Sequence, residues 1–95
     1  MEDCLEHARA MAAQLAAEGK KPWIGMLREF EEREQGRFHF PLIPLRFKGA
    51  SAPVWTTHYV CCCDGYAYDP LLDRPEPLAT YSTTLFGREI PVIEA

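Results

Sequence analysis

The sequence predicts an α+β fold, an N-terminal helix packed on a small antiparallel sheet. Three observations point there: an alanine-rich amphipathic run at the start, an Asp-Gly turn between two apolar segments, and the lack of any linker or repeat. Ninety-five residues suffice for one core and are too few for two, so residues 1–95 are read as a single domain.

The helix is expected over residues 4–18. Asp3 is placed to cap it, and Glu6 three positions later completes a capping box. Leu5, Ala8, Ala12 and Leu15 form its apolar face, and Gly19 supplies the left-handed stop. Pro22 to Phe30 reads as a strand whose alternation Gly25 blurs, and "EEREQG" as a solvated turn. "RFHFPLIPLRF" is apolar, but Pro41 and Pro44 remove ladder donors, which predicts an edge strand or a broken connection. "KGASAP" reads as loop. Residues 54–63 and 66–71 form two strands around Asp64-Gly65, a strong hairpin signal. "DRPEP" reads as a rigid loop, residues 78–86 as one helical turn ending at Gly87, and "EIPVIE" as a short last strand.

Composition narrows the function classes. A content of 47% hydrophobic and 25% charged residues argues for a folded chain rather than a disordered one. A net charge of −4, with no basic stripe, argues against a nucleic-acid partner. The first twenty residues hold acids and no long apolar run, which predicts no signal peptide, no membrane span and a cytoplasmic setting. In that setting four cysteines are expected as reduced thiols. Cys61, Cys62 and Cys63 lie on one strand, whose pleat splits them between faces. That disfavours both a disulfide and a zinc site with His58, and favours core filling.

The candidate site follows from hairpin geometry. With a two-residue turn, Cys63 opposes Tyr66, Val60 opposes Asp69 and His58 opposes Leu71. His58, Val60, Cys62, Ala67, Asp69 and Leu71 then share one face, while Tyr59, Cys61, Cys63, Tyr66 and Tyr68 take the other. His58 and Asp69 become diagonal neighbours at roughly 7–8 Å, close enough for a carboxylate to accept the imidazole N–H and fix its tautomer. A one-residue bulge would separate them. The candidate nucleophile is Cys4, in the first helical turn, where the positive end of the helix dipole favours a thiolate. With the apolar face of the helix against the sheet, its N-terminus is expected over His58.

Singly, each residue has an ordinary structural reading: small apolar filler for Cys4, a strand-end residue for His58, a turn aspartate for Asp69. The ordered trio is what sets them apart. His7 is read as a surface residue and His39, between two phenylalanines, as structural. Trp55 is read as core or as the wall of a substrate channel.

"DCLEHARAMAAQLAAEG", "WTTHYV" and "YAYDPLL" together resemble the papain-like cysteine hydrolases in compact form, above all bacterial protein-glutamine glutaminases and papain-fold toxin domains. The resemblance spans the helix and central hairpin. It implies Cys4 as nucleophile, His58 as general base, Asp69 as orienting acid and Trp55 as the motif tryptophan lining the substrate site. It further implies a protein or peptide substrate, deamidation of glutamine side chains through a thioester, and no cofactor. The alternative is a binding or regulatory module of the same fold with an incidental triad.

Overall fold

A computed structural model describes residues 4–47 and 54–95. The expected cap at Asp3 and the "KGASAP" loop lie outside the described residues. Helix α1 spans Cys4–Ala17, one residue shorter than expected. It closes in paired bonds around Gly19: Lys20 N–H donates to Leu15 C=O at 3.1 Å and Gly19 N–H to Ala16 C=O at 3.0 Å. Gly19 takes φ +85°, which residues bearing a Cβ adopt at a steric penalty.

Strand β1 is Trp23–Leu27, shorter than the expected 22–30. The "EEREQG" turn is instead most of a hairpin, β2 (Phe30–Arg33) against β3 (Gly36–His39). Of the apolar segment 37–47, residues up to His39 form the edge strand β3, and after Pro41 the chain makes a single bridge between Leu42 and Trp55 and a 3-10 turn at Leu45–Phe47, so both expected forms occur, one on each side of the proline. The central strands are β4 (His58–Cys63) and β5 (Tyr66–Tyr68), both shorter than read from sequence. Within "DRPEP", Glu76–Pro77 is β6, paired with β5, and leads straight into α2, Leu78–Phe86. Strand β7 is Ile93–Glu94.

The main sheet is antiparallel in the order β6-β5-β4-β1-β7. Its register confirms the two-residue turn, with Cys63 opposite Tyr66 and Cys61 opposite Tyr68. Asp64 and Gly65 have φ of +53° and +83°, the left-handed pair of a hairpin turn whose twist matches its strands.

Both faces of β4 are covered, by different helices. Ala8 and Leu15 of α1 pack on Cys61 and Cys63, with Ile24, Tyr59 and Tyr68 alongside. Tyr81, Leu85 and Phe86 of α2 pack on Val60, Cys62 and Ala67, with Leu27 and Leu42. The cysteine triplet is therefore scaffold for two cores at once, and all three thiols are fully buried. Burial pushes the proton affinity of each upward, that of Cys62 to about 12, so none is a ready nucleophile. Gly25 explains its own break in alternation: a Cβ there would stand 2.6 Å from Val92 Cγ1 and 2.9 Å from Cys62 Sγ. No helix among the described residues is long and apolar enough to cross a membrane.

Candidate active site

The site lies at the end of the sheet where β4 begins and β5 ends. The hairpin register puts His58 and Asp69 on the α2 face, and His58 Nε2 lies 2.8 Å from Asp69 Oδ2. Both groups are buried, the histidine 2% and the aspartate 6% exposed. The aspartate is also the turn residue that its sequence context suggests. Leu71 N–H donates to Asp69 Oδ1 at 2.9 Å, and Leu72 N–H to the Asp69 carbonyl at 2.9 Å. One oxygen holds the turn while the other holds the imidazole. Arg46 reinforces this corner by donating to the Leu71 carbonyl.

As the sequence led one to expect, the N-terminus of α1 comes to His58: Cys4 and His58 line the same cavity of about 140 Å³, while the apolar face of the helix covers the opposite side of the sheet. The bond to Asp69 occupies Nε2, and Nδ1 is buried with no hydrogen-bond partner among the described residues. Cys4, on the wall of the same cavity, adds to the pull that favours the protonated ring.

The electrostatics follow from these contacts. Burial lowers the proton affinity of His58, but hydrogen bonds and charge from Asp69 and Cys4 outweigh it and raise the pKa to about 9. Burial works against the Asp69 anion, yet the His58 bond and charge, the Tyr81 hydroxyl and the Leu71 N–H hold its pKa below the usual range.

Trp55 is stacked on the imidazole, with centroids 4.8 Å apart and planes 13° from parallel. The bridge to Leu42 holds it through bonds of 2.7 and 3.1 Å. It both packs on the core and lines the cavity, so its two sequence readings are compatible. His7 is exposed, as expected, but also lines the cavity one helical turn beyond Cys4. His39 stays away from the site, against Phe30 with centroids 5.6 Å apart.

Two site residues escaped the sequence reading, both on α2. Tyr81 donates its hydroxyl to Asp69 Oδ2 at 2.5 Å, and Phe86 meets the His58 ring edge-on at 5.7 Å. Burial and the nearby carboxylate push the Tyr81 phenol far above its ordinary range, so it stays a donor. The signal was present: Leu78, Tyr81 and Leu85 recur at helical spacing before the Gly87 stop. No family of proteins, curated protein or solved structure matches this chain.

Proposed function

We propose that the chain is a papain-like cysteine amidohydrolase that deamidates glutamine side chains of proteins. One observation carries this reading: a buried imidazole is bonded through Nε2 to a carboxylate, and a helix-start thiol lines the same cavity as the imidazole. The resemblance of "DCLEHARAM", "WTTHYV" and "YAYDPLL" to papain-like deamidases supports the choice of substrate.

In this mechanism the Cys4 thiolate attacks the carboxamide carbon, and the oxyanion develops near the positive end of α1. The C–N bond breaks as His58 gives its proton to the departing ammonia, leaving a thioester. His58 then takes a proton from water, which attacks the thioester carbon and releases the glutamate side chain and the thiolate. Asp69 holds the imidazole throughout, and Trp55 shields it from bulk water. No step needs a cofactor.

Mild alkylation with iodoacetamide at neutral pH, mapped by mass, tests the nucleophile. Cys4 should label well above its rate in denatured chain, and His58→Ala should slow it at least tenfold. A glutamine-containing peptide should gain one mass unit and release ammonia, and Cys4→Ala should abolish both. Cys4 labelling at the denatured rate, with no ammonia, would overturn the enzyme reading in favour of a binding module.

A further inference from the structure

Helix α2 contributes more than cover to this site. Tyr81 is fully buried at its middle, and its hydroxyl shares Asp69 Oδ2 with the His58 ring. With Leu71 N–H on Oδ1, the carboxylate accepts three hydrogen bonds, and each favours the anion over the acid. We infer that Tyr81 is a positioning residue of the candidate site, a phenol that keeps Asp69 from turning away from the imidazole or taking its proton. The inference rests on the proposed function for its purpose, though not for its measurement.

Each donor on the carboxylate bonds the anion more strongly than the acid. A proton moved from Nε2 to Oδ2 would turn that oxygen into a weak neutral acceptor for the phenol O–H, and the Leu71 N–H on Oδ1 would lose the same charge. The phenol therefore opposes the transfer by the strength that its own bond would forfeit. The proton therefore stays on Nε2, and Nδ1 is the nitrogen left to load and unload. Two helices on opposite faces of the sheet thus act on one imidazole, α1 through sulfur and α2 through the carboxylate.

The test is Tyr81→Phe, which removes the hydroxyl and keeps the ring in its pocket. The Asp69 carboxyl carbon is followed by NMR from pH 2 to 7, in the full chain. Loss of one charge-assisted hydrogen bond should raise its titration midpoint by about one pH unit or more. A folded Tyr81→Phe whose Asp69 midpoint stays within about 0.3 unit of the parent would overturn the inference. If that variant does not fold, Tyr81→3-fluorotyrosine gives the opposite perturbation: its more acidic hydroxyl should lower the midpoint, and an unchanged value would be equally fatal. The titration needs no turnover. A chain whose Cys4 fails the alkylation test would refute the enzyme and leave this result standing.

Discussion

Among the described residues, two antiparallel hairpins have two-residue tips, and they differ in nearly everything else. The β4–β5 hairpin turns through left-handed Asp64 and Gly65 and is sandwiched between two helices. The β2–β3 hairpin turns through Glu34 and Gln35, neither with positive φ, and forms a separate two-stranded sheet. Its charges lie in the open: Arg37 faces Glu32 across the strands at 2.8 Å and Arg33 reaches Glu31 at 2.8 Å. Arg37 and Arg33 also sit over the Phe30 and Phe38 rings, at 4.2 and 4.5 Å. An ion pair of the same length joins His58 to Asp69, but with both side chains at 3% exposure or less. Distance is equal; solvent is not. Water screens the outer pairs to small net worth, whereas the inner pair is coupled to burial, protonation and the proposed chemistry.

Breaking the inner pair should have the largest effect. Asp69→Ala strands a buried imidazole and a buried phenol without their acceptor. It should destabilise the fold by about 3 kcal/mol or more, read from urea denaturation at pH 7.

Titrating the inner pair comes next. His58 rises from 6.5 to about 9, so its stabilising contribution is complete below pH 6.5 and is lost as pH climbs through 9. Asp69 is lowered from 3.8, so its contribution is present above that value and is lost as acid protonates the folded carboxyl. Stability measured against pH should therefore fall at both ends, and His58→Gln should remove the alkaline fall attributable to the imidazole.

The packing that buries the inner hairpin is the third target. Gly25→Ala drives a methyl toward Val92 and Cys62, and should lower stability by about 1–2 kcal/mol with an unchanged denaturant slope. Smallest of all, Arg37→Ala in the outer hairpin should change stability by no more than about 0.5 kcal/mol. A larger loss there than for Gly25→Ala would mean that the outer hairpin carries more of the fold than its exposure implies.

The same contrast governs what could be read from the chain. The inner hairpin was legible because Asp-Gly demands one turn geometry, and that geometry sets the register joining His58 to Asp69. Helix α1 was legible from its periodicity and Gly19. The outer hairpin was not, because "EEREQG" lacks alternation and Glu34-Gln35 carries no turn signature. Helix α2 was underestimated because threonine and serine weaken its local propensity, while burial of Tyr81, Leu85 and Phe86 supplies what the segment lacks. The face chosen by α1 was hidden for another reason. Every residue of β4 except Tyr59 is buried, so alternation along the strand cannot say which helix covers which side.

The three neighbouring thiols of β4 have a use that follows from their alternating burial. Cys61 and Cys63 are sealed by α1, and Cys62 by the layer containing α2. A pulse of thiol reagent applied to a chain opening at its native rate would stamp these positions at the moment each lid lifts. Adjacent residues would then time-stamp the departure of two different layers, an internal stopwatch written in sulfur.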